Sequence, residues 1–553
     1  MKSKIPKIVS IVIVTSLVIL GLYSNSKFVN YDLVVYGASP AGISAAVAAS
    51  EEGLNSVLIA SGSSVGGTMS NGLSASDIGV SSSVTGLPLR FFNLVRAHYG
   101  DDYIKWRFES HIAEEVFQVM LKASGVKLIM SEPISSVEFN NQEINCIKTK
   151  SRKVCGKYFI DASYEGDLIA KSGAKHVLGL EDYLAHDEPL AALRHITKVV
   201  KLGGGKGAHR QNPFIAEDRK DISKGMPSIT YRTCITDKES NKNSFKRTDK
   251  YDDYLPFWRS YMQGADECDR CGEVKTTSIG SIHSYFYQIA KLPNGKFDLN
   301  SGSSSFMNVP ATPEYFKNLS ERYSFQSVLT DYMKNWFYFL QNDNTVPKKV
   351  ADNFSVFGLC ADEFVNNDNW PLEPYLREGR RILGRYTITQ KDIFTSRKKN
   401  GSIAIGSYHL DSKPAQVFVE NEHLFRDVNS FLTTPPYEIP YWALIPKKGP
   451  KNLLATIGLS ASPTAYGSIR MEPQYMAIGE AAGVAAAVAE RKNTSLYELS
   501  YKDIQDTLRA RNVIFNIDEL CKKIPKKYRT KVGYSRQCKL IYYSPKDLTV
   551  KSH

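Results

Sequence analysis

"DLVVYGASPAG", Asp32 to Gly42, carries two of the three glycines of a dinucleotide-binding turn. The G-x-G-x-x-G pattern falls on Gly37, Ser39 and Gly42, so serine stands where the middle glycine would let backbone approach a pyrophosphate. The flanks supply the context that this motif needs. "YDLVVYG" is a β-branched apolar run suited to a strand buried on both faces, and "ISAAVAASEEG" is a small-residue helix ended by Gly53. "NSVLIAS" follows as a second strand, so Leu33 to Ala60 predicts one βαβ unit. Pro40 and Ala41 suit the first helical turn, Ser39 can offer its hydroxyl to a phosphate, and the helix N-terminus aims unpaired N–H groups at an anion. A second departure lies at the end of the second strand. An acidic residue usually takes the ribose hydroxyls there, and this chain has Ala60 and Ser61.

At 553 residues and 42% hydrophobic content, the chain can bury large cores and predicts two intimately joined domains. Its formal charge of +13 is scattered until "CKKIPKKYRTKVGYSRQCK", which reads as a solvated or surface-binding tail; no nucleic-acid partner is expected. At the other end, Lys2, Lys4 and Lys7 precede an apolar run from Ile8 to Leu22, shorter than the ~20 residues that cross a bilayer comfortably. That pattern predicts a secretory signal or a marginal signal-anchor over residues 1–28, hence export across a membrane or attachment to it. Eight cysteines are too few for a disulfide scaffold. The C-x-x-C of Cys268 and Cys271 lacks both a second such pair and histidines at ligand spacing, so no metal is expected, and structural disulfides are the favoured reading.

"SGSSVGGTMSNGLSASDIG" then brings the Gly66-Gly67 doublet and Thr68 a short way after the second strand. Together with "KYFIDASYEGDLIAKSGA", "YLREGRRILGRYTITQKDI", "GSYHLDS" and "NLLATIGLSASPTAYGSIRMEPQYMAIGEAAGVAAAVAE", this stretch resembles the FAD-dependent oxidoreductase family with a glutathione-reductase-like flavin domain. The resemblance covers nearly everything from Tyr31 to about Glu490. It implies FAD as cofactor and an α/β fold: a Rossmann-type FAD-binding domain built from discontinuous segments, 29–187 and 441–492, around a mixed α+β substrate domain, 277–440. A polar insert is expected at 188–276 and a basic extension at 493–553.

The resemblance implies cofactor contacts at Gly37, Ser39, Ala41, Gly42, Ser61, Gly66, Gly67 and Thr68. It extends them to Asp161, Ala162 and Ser163, which close a strand at the carboxyl edge of the sheet, and to Gly458, Ser460, Arg470, Met471 and Gly479. Arg470, just before the final helix, either stabilises the reduced flavin or pairs with Glu472. Glu165 and Asp167 either complement a helix N-terminus, the plainer reading, or take part in catalysis.

On the substrate side, "YLREGRR" puts Arg377 and Arg381 at helical spacing, a possible clamp for an anionic or polyhydroxyl substrate, although solvated surface arginines are commoner. If "GSYHLDS" is a strand, His409 and Asp411 share a face as a base and its orienter, while a purely structural histidine is the alternative. No second Rossmann fingerprint appears, since the glycine-rich "KLGGGKGAHR" lacks a preceding buried strand; electrons are therefore expected to leave for oxygen or for an unidentified carrier rather than a nicotinamide. The leading expectation is an exported or membrane-anchored FAD-dependent oxidoreductase that takes a hydride from a small polar substrate, a class that includes sugar-derived compounds. A degenerate member without catalysis, serving as a binding or structural protein, is the rival.

Overall fold

A computed structural model describes residues 30–523, apart from 182–184, 192–195, 204–211, 216–224, 227, 266–270, 279, 303–305, 414 and 428–430. The N-terminal apolar run, Cys268, most of "KLGGGKGAHR" and the basic tail beyond 523 lie outside these residues. No helix among the described residues is long and apolar enough to cross a membrane.

The opening stretch forms the expected unit: strand β1 (Asn30–Tyr36), helix α1 (Pro40–Glu51) and strand β2 (Ser56–Ile59). Helices α2 (Gly86–Tyr99) and α3 (Ser110–Ser124) lead to β3 (Lys127–Ile129), the meander β4 (Ile134–Asn140) and β5 (Glu143–Thr149), and the long β6 (Lys153–Asp161). Strand order is β3-β2-β1-β6-β5-β4, with β7 (Leu453–Ala455) returning from the far end of the chain to pair parallel with β6. Parallel pairing in register, Tyr36 opposite both Ile59 and Asp161, brings the carboxyl ends of β1, β2 and β6 to one edge. That is the edge at which open α/β sheets bind ligands.

Helix α4 (Pro463–Ile469), helix α5 (Glu472–Lys492) and helix α6 (Tyr501–Ala510) complete this domain. The alanines of α1 are buried because α5 lies directly on them: a Cβ on Gly479 or Gly483 would run into the Ala41 or Ala45 backbone. Gly479 therefore serves helix packing, which corrects its reading as a cofactor contact.

The second domain is a seven-stranded antiparallel sheet backed by helices Tyr251–Ala265 and Leu319–Asn342. Its core is aromatic, with Trp258 and Trp336 fully buried and Phe306 stacked on Trp336 at 4.8 Å.

Three expected boundaries move. The 188–276 segment is no separate insert: strand Thr233–Thr236 lies inside the second sheet between Lys296–Ser301 and Gly358–Cys360, and Trp258 fills that domain's core. Residues 388–405 and 437–440, expected in the substrate domain, contribute Ile388, Phe394, Ile403, Tyr437 and Ile439 to the core beneath α1 and α5. The C-terminal extension is folded as far as 523: Leu508 and Phe515 are buried in the first domain, and Arg511 pairs with Glu51, Glu52 and Glu480.

Cys146–Cys155 ties β5 to β6 and Cys234–Cys360 ties two strands of the second sheet. Cys271 and Cys521 are also disulfide-bonded, so no cysteine among the described residues is a free thiol.

Candidate functional site

At the edge where β1 ends, Gly37 has φ +104°, and a Cβ there would strike the Ala162–Ser163 backbone that follows β6. A side chain at this position would push the two strand ends apart. A Cβ on Gly42 would strike the Gly37 carbonyl oxygen, so Gly42 closes the turn itself rather than clearing room for a ligand. Ser39 is the N-cap of α1: its hydroxyl oxygen accepts from the Gly42 N–H at 3.2 Å and its O–H donates to the Ala162 carbonyl at 2.7 Å. The hydroxyl thus points into the fold, correcting the expectation that it faces a phosphate, and this is how serine is accommodated at the middle glycine position. Ala41 is likewise buried against α5.

Beside this turn lies a cleft of ≈ 210 Å³ lined by Gly37, Ser39, Ala60, Ser61, Ala162 and Ser163, with Gly67 at its rim. The part of its lining formed by the strand ends is made of small residues and the N-terminus of α1 opens onto it, a combination that fits the diphosphate of a dinucleotide, while Tyr164, Arg322, Tyr323, Gln326 and Glu373 supply the larger side chains of the remaining lining. Gly66, at φ +100°, donates its N–H to the Ala38 carbonyl at 2.8 Å and so folds the doublet back over the turn.

Asp161 does not face the cleft. One carboxylate oxygen accepts from the Ser163 N–H and O–H at 2.8 and 2.7 Å, and the other accepts from the Ile169 N–H at 2.7 Å. Burial raises this carboxyl to about 6 against those donors, and its role is to hold the turn after β6. Asp167 stands in the first turn of the helix Asp167–Lys171, as the plainer reading of the sequence expects, and its carboxylate also forms a two-pronged pair with Arg322 of the second domain, 2.9 Å on each prong.

Further along, at the N-terminus of α5, the buried Glu472 accepts from Thr68 Oγ1 at 2.7 Å and from the Tyr164 hydroxyl at 2.8 Å. Its second oxygen is buried with no hydrogen-bond partner among the described residues, and burial lifts the carboxyl to about 7. Arg470 pairs elsewhere. Its guanidinium donates to the Tyr375 hydroxyl at 2.7 Å, to the Asp411 carbonyl at 2.7 Å and to Asp411 Oδ2 at 2.9 Å. Met471 is buried beside it as the N-cap of α5, whereas Gly458 packs against Arg380 backbone and Ser460 hydrogen-bonds Thr387 at 2.9 Å, so neither lines the cleft.

The expected base-and-orienter pair is not assembled. Asp411 is held by two cations, Arg470 and, at 2.9 Å, Lys413, while His409 packs edge-on against Tyr408 with ring centroids 5.4 Å apart. "YLREGRR" is not helical either: it forms strands Tyr375–Leu376 and Arg381–Ile382 around a turn at Gly379, where a Cβ would hit the Tyr164 carbonyl. Its arginines are buried rather than solvated, and burial lowers Arg377 to about 10. The Arg377 Nε has no hydrogen-bond partner among the described residues.

Tyr408, Asp411, Arg377 and Arg470 thus belong to one charged cluster, joined by two residues that the sequence did not single out. Arg232 is buried and bound by Asp298 at 2.8 and 2.6 Å. Asp77 adjoins the Tyr408 hydroxyl, and burial raises its carboxyl above the usual carboxylate range. Asp77 stands inside the glycine-doublet stretch already quoted, but nothing in its spacing separates it from a surface loop acid.

Asp77 and Tyr408 also line a second, wider cleft of ≈ 400 Å³ between the domains, with Trp106, Arg107, Gln288 and Asn300. Trp106 holds φ +66°, a conformation uncommon for a bulky residue and concentrated at functional sites. His409 lines neither cleft.

Glu109, His111 and Glu363 converge at metal-ligand distances, but the Lys296 ammonium sits among them, 2.6 Å from Glu109 and 3.1 Å from Glu363. The cation that this group calls for is already supplied by the chain.

A family model described as FAD dependent oxidoreductase matches residues 32–508. No curated protein matches the chain. Among solved structures, the flavin-dependent brominase Bmp2 is similar at 10% identity over 92% of this chain and 89% of that one, with a TM-score of 0.36. Thermovibrio ammonificans THI4 is similar at 15% identity over 32% and 76%, TM-score 0.22. The bacillithiol disulfide reductase of Staphylococcus aureus is similar at 17% over 34% of this chain and 48% of that one, TM-score 0.18.

Proposed function

Because the chain belongs to the FAD-dependent oxidoreductase family and FAD is its cofactor, we propose that it oxidises a small polar hydroxyl compound entering through the cleft between the domains. The observation that carries this reading is the placement of Asp77 and Tyr408, which line that cleft and belong to the charged cluster around Arg470. FAD, when bound, supplies the hydride acceptor. The turn at Gly37, the N-terminus of α1 and the backbone around Gly67 would hold its diphosphate, and Thr68, Tyr164 and Glu472 present hydrogen-bonding groups further along.

The chain's own chemistry then concerns one proton and one orientation. As carbon gives up a hydride, the substrate hydroxyl must lose its proton, and Asp77 is the acceptor this geometry offers, since a carboxylate raised by burial is a better base than a solvated one. Arg232, Arg377, Lys413 and Arg470 face Asp77, Asp298 and Asp411, so the cluster favours negative charge developing in it. Trp106 with Arg107, Gln288 and Asn300 offers an apolar face ringed by hydrogen-bonding groups, a lining suited to a polyhydroxyl, sugar-like molecule.

Asp77→Asn should retain FAD and lower substrate-dependent flavin bleaching by on the order of 10² to 10⁴, the range for losing a general base. His409→Asn should leave that rate unchanged. The measurement is anaerobic stopped-flow absorbance with a panel of polyols and hydroxy acids. A slowed His409→Asn together with an unaffected Asp77→Asn would return the proton to the histidine.

Export is part of the same proposal. The disulfide-bonded cysteines fit an oxidising compartment, as does the basic-then-apolar N-terminal segment of the sequence. Recovery of the intact chain, Met1 included, from the cytoplasmic fraction would contradict it. Oxygen or an exported carrier is the electron acceptor this reading requires.

A further inference from the structure

The chain lacks the acid that a dinucleotide fold places after β2, and the second domain puts one in the same neighbourhood. Glu373 Oε1 lies 2.9 Å from where a Cβ on Gly62 would stand, three residues beyond the end of β2, and it lines the cleft together with Gly37, Ala60 and Ser61. A side chain at position 62 would displace the carboxylate; glycine admits it. Its backbone is fixed from both sides: the Leu372 N–H donates to Asn71 Oδ1 at 3.1 Å in the loop after the glycine doublet, and Pro374 holds the preceding residue extended.

No hydrogen bond or ion pair to the Glu373 side chain is present among the described residues, although the side chain is half-buried. Burial raises this carboxyl to about 7, helped by Glu165 and Glu114 and opposed by Arg322, so the group is short of donors. A vicinal diol supplies two.

We propose that Glu373 takes the adenosine-ribose hydroxyls of FAD, replacing the acid missing from the end of β2 with one carried by the second domain. The proposal rests on the FAD reading and adds that recognition of the adenosine half spans both domains. It also explains why Ala60 and Ser61 are tolerated at the position of the usual acid: a carboxylate there would face Glu373 across Gly62 with like charge.

The test uses the full chain freed of flavin. FAD binding is followed by quenching of flavin fluorescence, and ADP and 2′,3′-dideoxy-ADP are used as competitors. Glu373→Gln should weaken FAD about 10- to 100-fold, the effect of losing one or two hydrogen bonds to a charged group. Wild-type protein should prefer ADP over 2′,3′-dideoxy-ADP by a similar factor, and the variant should lose that preference. Wild-type protein that binds FAD and both competitors without distinguishing the sugars overturns the assignment of Glu373, whether or not the variant folds. So does a variant that keeps wild-type affinity. Wild-type protein that takes up neither FAD nor ADP overturns the cofactor reading itself.

Discussion

Gly479→Val is expected to cost the protein its folded first domain. A Cβ at 479 would lie 2.8 Å from the Ala41 carbonyl carbon and nearer still to its oxygen, so the obstacle is the backbone of α1, which no rotamer change can move. Gly483 meets the Ala45 backbone in the same way one turn further on, which means α1 cannot tilt away at one point without opening the whole contact. Overpacking a well-filled core costs about 1–3 kcal/mol when side chains can yield; here they cannot, and about 3 kcal/mol or more is expected. Because α1 also carries the Ser39 cap and borders the dinucleotide cleft, loss of flavin should accompany loss of stability. Thermal unfolding followed by near-UV circular dichroism, with and without FAD, checks this. Wild-type stability in Gly479→Val would show that the two helices are not packed backbone to backbone.

Arg381→Met should destabilise by about 3–5 kcal/mol, the usual effect of leaving a buried charge without its partner. Arg381 is fully buried and ion-paired with Glu378 at 2.7 Å and Glu181 at 2.8 Å, and it donates to the Gly179 and Ala461 carbonyls. It thereby ties the second half of "YLREGRR" to the segment after β6 and to the entry of α4. Glu378 is itself buried, and burial raises its carboxyl while Arg381 opposes the rise. Removing the arginine raises it further. The folded variant then holds a proton over a pH range in which the unfolded chain, with an ordinary carboxyl near ~4.3, has released it, so stability falls as pH rises through that range. The deficit of Arg381→Met relative to wild type should be larger at pH 8 than at pH 5, and Glu378→Gln in the same chain should recover part of it. Equal deficits at both pH values would mean that packing, not the stranded carboxylate, is responsible.

The fold was legible where its signal is local. The β1–α1–β2 unit, the glycine doublet and the small-residue final helix announce themselves through period, capping residues and glycine placement. The charged cluster was not, because its members meet only through tertiary contact: Arg377 and Arg470 are far apart in sequence, and Arg232 and Asp77 stand in segments with no distinguishing pattern. "YLREGRR" misled for a related reason. Arginines at i and i+4 imitate a helical face, yet the Gly379 contact with the Tyr164 carbonyl turns the stretch into two short strands and buries what helical spacing would expose. His409 and Asp411 were paired by strand alternation, whereas the strand there is only Leu410–Asp411 and the aspartate is drawn to Arg470 and Lys413. Ser39 shows the reverse case: an off-pattern residue whose hydroxyl the helix cap and the Ala162 carbonyl fully occupy.

The central claim is that the cleft beside the Gly37 turn holds a dinucleotide flavin. Its most direct measurement is to incubate the purified chain with FAD and FMN together, remove free flavin, release what is bound by heat and identify it by chromatography. One FAD per chain, with FMN excluded, is the predicted result. Protein that retains no flavin, or that takes FMN as readily as FAD, would contradict the account.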